Sequence, residues 1–284
     1  MAVIEIKNEQ LKVKINTLGA EIISIVKDGK ERVWQGDPEY WKGHQPVLFP
    51  VCGSLKGKKY RYNGKEYNMK PHGFARISEF KVVSLESDKA VLLLESNEQT
   101  KECYPFDFKF FVTYSVVDNS VKTAYKTINE GKEPAFVSFG SHESFNFSVP
   151  FDEGHALEFE KDEKFSSFIV VPGGLIAHSC DEFGEGKTLG LTHAMFKNDT
   201  IVLRNINSRR VKLTENGKVI AETAFDAPNL LVWTSVNCAP FVCVEPWLNY
   251  PDFDDASGDI KDKDGLKWLE AGEEFINEHT VFYY

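Results

Sequence analysis

Residues 108–114 read Phe-Lys-Phe-Phe-Val-Thr-Tyr, and residues 11–15 read Leu-Lys-Val-Lys-Ile. In both stretches apolar and polar side chains broadly alternate, which is typical of a β-strand with one buried face. Helical periodicity is hard to find in the rest of the chain. The sequence therefore predicts an all-β fold, a large antiparallel β-sandwich with few short helices.

Three dipeptides between strand-like segments mark tight hairpins: Asp28-Gly29, Asn63-Gly64 and Asn216-Gly217. Such pairs favour the two-residue turns that match the twist of antiparallel strands. Short helical turns are predicted near Pro38–Trp41 and Thr100–Tyr104. Neither is long enough to cover a sheet.

The composition favours one globular domain spanning residues 1–284. This length is common for a single all-β domain, and no linker or low-complexity tract divides the chain. Hydrophobic residues make up 42% of the chain and phenylalanine contributes 22, which is enough for a core without disulfides. The net charge of -10 argues against a nucleic-acid or acidic-membrane surface and leaves small neutral or weakly anionic ligands as candidates.

Several features predict a cytoplasmic location. Residues 1–7 carry charges where a signal peptide would be apolar, and no stretch is long and apolar enough to span a bilayer. The five cysteines are an odd number without repeated spacing, which fits a reducing compartment. The sequence leaves the oligomeric state open, with a homodimer as one alternative.

Glu245 is the most informative residue. It follows the apolar run Phe241–Val244, which predicts a buried strand, and Pro246 follows it. Proline removes a ladder donor, so we expect the strand to end at Glu245. A carboxylate at the end of a buried strand needs a hydrogen-bonded structural role or a chemical one.

Two histidine segments indicate chemistry. Residues 71–76 read Pro-His-Gly-Phe-Ala-Arg, in which the glycine allows close approach to His72. In residues 137–147, strand alternation places His142 on one face with small and polar residues, and aromatic residues on the other. A small polar face backed by aromatics suits a hydroxylated ligand, although a bulge at Gly140 would break the alternation.

Other site types are less favoured. The segment Gly184–Thr188 resembles the end of a phosphate-binding loop, but the glycine that begins such a loop is missing. The segment therefore predicts a turn and no nucleotide-binding site. A metal site of His72, His142 and Glu245 is disfavoured because the chain has no closely spaced ligand pair such as His-x-His. A glycosidase with paired carboxylates would need a second acidic residue beside Glu245. The remaining candidate, Glu143, is expected to face the aromatic side.

The chain also lacks a nucleophile elbow, and the acidic segment 252–264 is expected to be a solvated loop. The residues by themselves leave two interpretations open in equal measure. In one, the histidines and Glu245 form an acid–base active site; in the other, each has a structural role.

Five ordered segments resemble the aldose 1-epimerase (galactose mutarotase) family, and most closely its LacX-like branch. They are Asn16–Glu21, Leu48–Pro50, His72–Arg76, Gly140–His142 and Glu245–Trp247. The resemblance covers nearly the whole chain. It implies an antiparallel β-sandwich with a sugar cleft that needs neither metal nor organic cofactor.

The resemblance also implies roles for individual residues. Glu245 matches the general base of the family, and His142 matches its general acid. His72 matches a second histidine that binds the sugar, Asp199 a substrate-binding aspartate, and Arg76 is placed to reach a hydroxyl or a phosphate.

Two positions depart from the family pattern. Many relatives have arginine where this chain has Ser54, and proline where it has Glu143, which we expect to raise the pKa of His142. Three functions follow as alternatives: a mutarotase for a free aldose, a hexose-phosphate mutarotase using Arg76 for the phosphate, or a carbohydrate-binding protein without catalysis. The sequence does not fix the preferred sugar.

Overall fold

The computed structural model describes residues 1–149, 151–152, 154–237 and 239–284, so Cys238 lies outside the described residues. Most of the described chain is β-strand. The first strands are β1 (Val3–Lys7), β2 (Leu11–Asn16), β3 (Glu21–Lys27), β4 (Lys30–Glu31), β5 (Lys59–Tyr62), β6 (Lys65–Asn68), β7 (Lys81–Leu85) and β8 (Lys89–Glu95). The middle strands are β9 (Phe108–Val117), β10 (Ser120–Asn129), β11 (Ala135–Val137), β12 (Glu143–Asn146), β13 (His155–Val171) and β14 (Leu175–Gly190).

The last strands are β15 (Ile201–Leu203), β16 (Arg210–Glu215), β17 (Lys218–Phe225), β18 (Asn229–Trp233), β19 (Phe241–Trp247), β20 (Lys267–Leu269) and β21 (Glu274–Tyr283). The helix α1 spans Glu98–Cys103, as expected, and its N-cap is Asn97. Single 3-10 turns lie at Lys56–Lys58, Ala75–Ile77, His193–Phe196 and Ile260–Asp262. Among the described residues, no helix combines the length and apolar character needed to cross a membrane.

The strands form one dominant antiparallel sheet and three smaller ones. The dominant sheet has 13 strands in the order β12-β19-β18-β15-β13-β16-β17-β21-β10-β9-β8-β7, with β14 paired to β13. A second sheet has the order β1-β2-β3-β4, and β5-β6 and β11-β20 form pairs. The prediction of a large antiparallel all-β sandwich is confirmed.

The three predicted hairpins are also confirmed. Lys27 pairs with Lys30, Tyr62 with Lys65 and Glu215 with Lys218. In each turn both central residues have positive φ, from 49° to 80°. This conformation is the reason that Asp-Gly and Asn-Gly are favoured there.

An aromatic core lies behind the candidate site. Phe49 stacks on Phe110 with ring centroids 4.2 Å apart, and Phe110 stacks on Phe139 at 5.5 Å. Phe139 in turn stacks on Phe275 of β21. Such pairs stabilise a core by about 0.5–1.5 kcal/mol beyond area burial, so this stack is a firm backing for the segments around it.

Pro246 does not end its strand, contrary to the prediction. β19 continues to Trp247, and Pro246 pairs with Leu230 of β18. The Pro246 carbonyl accepts a hydrogen bond from the Ser141 N–H, so the N–H that proline lacks would also point toward the β12 side. Because β12 begins opposite Val244, no strand there needs that donor.

Three other local predictions were wrong. Residues 137–147 are not one strand, because β11 ends at Val137 and β12 begins at Glu143. Residues 184–188 lie inside β14 rather than in a turn. The acidic segment is not wholly solvated, since Asp252 is buried and bonds the Lys263 ammonium at 2.7 Å.

Candidate active site

Glu245 lies in β19, between β12 and β18. Side chains alternate along the strand, so Val242 and Val244 pack into the main hydrophobic cluster. Cys243 and Glu245 face the opposite way. Glu245 is 1% exposed and lies on the face of β19 opposite to the main core.

His142 lies beside Glu245. It precedes β12, whose first residue Glu143 pairs with Val244. This register brings the His142 Nε2 to 3.5 Å from the Glu245 Oε1. The distance is longer than a good hydrogen bond, so the two groups face each other without being locked together.

The segment before His142 is held against Trp247. The Trp247 Nε1–H donates to the Ser141 carbonyl at 3.0 Å. A Cβ on Gly140 would lie 2.7 Å from both the Cys52 sulfur and the Trp247 ring. Glycine is therefore required at this position for the histidine segment to approach the strand of Glu245.

His72 completes the group. Its ring centroid lies 6.2 Å from that of His142 and 5.3 Å from that of Trp247. Its Nδ1 accepts a hydrogen bond from the Gly53 N–H at 3.3 Å, which leaves the proton of the neutral ring on Nε2 as a donor. The φ of His72 is +65°, an uncommon conformation for a residue with a side chain.

Several buried polar atoms in this group have no protein partner. They include the His142 Nδ1, the Glu245 Oε2 and the Ser141 and Ser144 hydroxyls. Buried polar atoms are normally satisfied, because an unpaired one costs about 1–3 kcal/mol. A cluster of them next to paired acid and base groups indicates a site prepared for a polar ligand.

Two tryptophans that the sequence reasoning missed pack against His142 and form walls of the site. The Trp41 ring stacks on the His142 ring at 4.8 Å and 22°, and Trp233 contacts His142 edge-on at 5.7 Å. Neither stands in a motif that distinguishes it from a core aromatic. Trp41 is the last residue of the predicted turn, and its N–H donates to the Asp37 carbonyl at 2.9 Å.

Asp199 and Arg76 lie farther out. Asp199 is exposed and accepts a hydrogen bond from the Trp233 Nε1–H at 2.7 Å. It lines a cavity of about 550 Å³ together with Trp233 and the β13–β14 turn at Gly173-Gly174. Arg76, on a 3-10 turn, is exposed, and its charge helps to lower the pKa values of His72 and His142.

Burial dominates the acid–base properties of the site. It raises the pKa of Glu245 well above its usual value, and the charge of Asp199 adds to this. Burial lowers the pKa of His142 well below 6.5, with further lowering by His72 and Arg76. The pKa of His72 falls to about 3 for the same main reason, so its ring is neutral near pH 7.

Glu143 does not act on His142 as expected. Its carboxylate points away from the site, and its Oε1 lies 2.8 Å from the Nε2 of His279. Glu143 is not among the causes that shift the pKa of His142, which is lowered rather than raised. The prediction that Glu143 faces the aromatic side agrees with its neighbours, since the Tyr125 ring lies 5.6 Å from the His279 ring.

One group could offer metal ligands: among the described residues, atoms of His142, Cys243 and Glu245 lie within 4.8 Å of one another. Zn²⁺ holds its ligands at about 2.0–2.3 Å, so tetrahedral ligands lie roughly 3.5 Å apart. Burial also raises the pKa of Cys243 well above 9.0, which disfavours the thiolate that a metal needs. This set fits a metal ion poorly.

Comparisons with known proteins identify the family of the chain. The profile of the family "Aldose 1-epimerase" matches residues 2–275. The plasmid-encoded protein LacX of Lactococcus lactis subsp. lactis is 35% identical over 261 residues, which cover 86% of this chain and 87% of LacX.

Two solved structures share the fold over the whole chain. A galactose mutarotase related enzyme from Lactobacillus acidophilus has a TM-score of 0.90 at 30% identity, covering 100% of this chain and 97% of that one. A galactose mutarotase-like protein from Lactobacillus casei has a TM-score of 0.93 at 28% identity, covering 100% of both chains. With its sequence matched from residue 2 to residue 275, the chain belongs to the aldose 1-epimerase family.

Proposed function

We propose that this protein is an aldose 1-epimerase, a mutarotase that interconverts the α and β anomers of an aldose by acid–base ring opening and closure. Glu245 is the general base and His142 the general acid. Membership of the aldose 1-epimerase family supports an isomerase of this type. The site residues and the substrate are our assignment.

The observation that carries the proposal is the loose pairing of His142 with Glu245. A proton donor and a proton acceptor lie 3.5 Å apart, and each keeps a second polar atom without a partner. A cyclic sugar is a hemiacetal, in which the hydroxyl and the ring oxygen share one carbon. Two groups this close can address both oxygens of that carbon.

In the reaction, Glu245 takes the proton of the anomeric hydroxyl and protonated His142 gives a proton to the ring oxygen. The bond between C1 and the ring oxygen breaks, and the open-chain aldehyde forms. After rotation about the C1–C2 bond, His142 takes a proton back from the hydroxyl and Glu245 returns one. The ring then closes in the other configuration, and no electrons or groups are transferred to the protein.

The environment makes both groups effective. These pKa directions place the shared proton on Glu245 in the resting site; once it moves to His142, the raised pKa makes the Glu245 carboxylate a stronger base and the lowered pKa makes the His142 imidazolium a stronger acid. The Nε2–H of neutral His72 serves as a hydrogen-bond donor for the sugar. Asp199 and Arg76 bind hydroxyls at the rim.

Polarimetry of freshly dissolved α-D-glucose and α-D-galactose tests the proposal. Wild-type protein is expected to accelerate mutarotation over buffer, and His142→Asn to lose that acceleration. His178→Asn is the matched control, because His178 is an exposed histidine paired with Asp255. Sugar binding in calorimetry without any acceleration would instead make this a carbohydrate-binding protein.

A second candidate substrate is a sugar phosphate, and Arg76 motivates it. This side chain is exposed, and its positive charge is close enough to shift both site histidines. Guanidinium groups bind phosphate through paired hydrogen bonds. Mutarotation of α-D-glucose 6-phosphate, measured beside glucose, separates the two substrates.

A further inference from the structure

We infer that Glu143 and His279 are positioning residues, whose pairing across the core holds the general acid His142 in place against Glu245. This inference rests on the proposed function of His142. It concerns residues on the opposite side of the strand from the sugar, which touch neither the substrate nor the reacting groups.

The Glu143–His279 pair is buried and close. The Glu143 Oε1 lies 2.8 Å from the His279 Nε2, and the two side chains are 7% and 3% exposed. His279 lies in β21, between Thr123 of β10 and Phe225 of β17. It therefore belongs to the interior of the dominant sheet, where both neighbours fix its backbone.

The pair joins two parts of the sheet that are remote along the strand order. β19, β18, β15, β13, β16 and β17 lie between β12 and β21. Backbone hydrogen bonds between neighbouring strands therefore do not link β12 directly to β21. Glu143 and His279 meet only because the sheet folds back on itself, so their contact connects the two layers of the sandwich.

β12 needs such an anchor. It has four residues and lies at the edge of the dominant sheet, where it pairs with β19. Short edge strands open easily, and a slip by one residue would reverse the face of each side chain. In such a slip Glu143 would turn away from the core, and His279 would stay there without its hydrogen-bond partner, which is unfavourable. The pair therefore selects one register.

That register determines the site. Glu143 follows His142 directly, and its partner Val244 directly precedes Glu245. A shift at Glu143 moves the His142 ring relative to the carboxylate it faces at 3.5 Å. Displacements of about 1 Å in a catalytic group can cost roughly 100-fold in rate.

The chain supplies a matched control in a second buried pair, His155 and Glu215. Their Nε2 and Oε1 atoms lie 3.3 Å apart, and the side chains are 0% and 11% exposed. They join β13 to β16 and lie outside the candidate site; they contact the chain after the end of β12, where His155 packs against Phe147 and Glu215 bonds Ser148. Loss of this pair should affect stability without moving His142.

The experiment compares His279→Leu with His155→Leu in mutarotation of α-D-glucose. His279→Leu is expected to lower kcat about 10- to 100-fold with KM unchanged, whereas His155→Leu leaves kcat unchanged. His279→Gln retains a donor near the position of Nε2 and should restore most of kcat. An equal kcat for His279→Leu and His155→Leu, at comparable unfolding free energy, would overturn the inference.

Two further measurements cover the remaining cases. If His279→Leu does not fold, Glu143→Asp and Glu215→Asp replace the leucine variants. Each shortens one carboxylate side chain by a methylene, and only Glu143→Asp should lower kcat.

If the wild type does not accelerate mutarotation, the proposed function fails, and NMR of the ¹⁵N-labelled His142 imidazole decides the positioning role. Its signals should shift in His279→Leu but not in His155→Leu; unshifted signals would contradict the pairing role.

Discussion

Two of the buried histidine–glutamate pairs lie on opposite faces of the sheet at β12. On one face His142 faces Glu245 at 3.5 Å; on the other, Glu143 bonds His279 at 2.8 Å. His142 and Glu143 are consecutive residues. The two pairs have the same chemical composition but differ in closeness and in what remains unsatisfied around them.

The difference separates a chemical role from a structural one. The pair on the site face leaves the His142 Nδ1 and the Glu245 Oε2 without partners, whereas neither Glu143 nor His279 is among the described residues with such atoms. A closely bonded buried pair defines a geometry. A loosely bonded one keeps hydrogen-bonding capacity for a ligand, at a cost in stability.

Substitution of Glu245 should produce the largest effect. Glu245→Gln keeps the shape of the side chain but removes the base, so kcat for α-D-glucose should fall about 10²- to 10⁴-fold. Polarimetry measures it, with thermal unfolding to show that the protein remains folded. Retention of full activity would refute the assignment of the base.

The stability effects should be in the opposite order. His279→Leu strands the Glu143 carboxylate in the core and should lower the unfolding free energy by about 3–5 kcal/mol. His142→Asn removes a group that is already incompletely bonded and should change stability much less. Urea unfolding of both variants provides the test, and equal losses would erase the distinction between the pairs.

The pH dependence should report the site pair. The active state holds one proton between His142 and Glu245, so the dependence belongs to the pair. As pH falls through the lowered pKa of His142, a second proton enters and kcat/KM drops; as pH rises through the raised pKa of Glu245, the last proton leaves and it drops again. The expected profile is a plateau with its acid limb below 6.5, and an acid limb at or above that value would contradict it.

Arg76 should give the smallest effect. It is exposed, and an exposed charge pair contributes up to ~1 kcal/mol, so Arg76→Ala should raise KM for α-D-glucose 6-phosphate about twofold to fivefold. KM for glucose should stay nearly constant. The ratio of the two KM values, measured by polarimetry, is the test, and equal changes for both sugars would remove the phosphate role.

The sequence predicted what is determined locally. The predictions of hairpins at Asp28, Asn63 and Asn216 were correct, because positive φ at two adjacent residues nearly dictates the turn. The prediction that the strand ends before Pro246 was wrong. Whether the N–H that proline lacks is needed depends on whether a neighbouring strand lies opposite. That neighbour is set by tertiary pairing, which residue alternation does not contain.

The same limit applies to the site. The motifs around His72, His142 and Glu245 are visible in the sequence, and the structure places these residues together. Their distances depend on long-range register. The contact of Glu143 with His279 depends on the folding of the sheet onto itself, and no local pattern marks either residue.

The stacking of Trp41 on His142 has a spectroscopic consequence. Indole emission responds to the polarity and charge of its immediate surroundings, and here the chromophore lies 4.8 Å from the imidazole proposed to exchange protons with the sugar. Arrival of a ligand or protonation of that imidazole changes the surroundings of the indole. The protein thus contains its own fluorescent probe for occupancy of the cleft, and no dye needs to be attached.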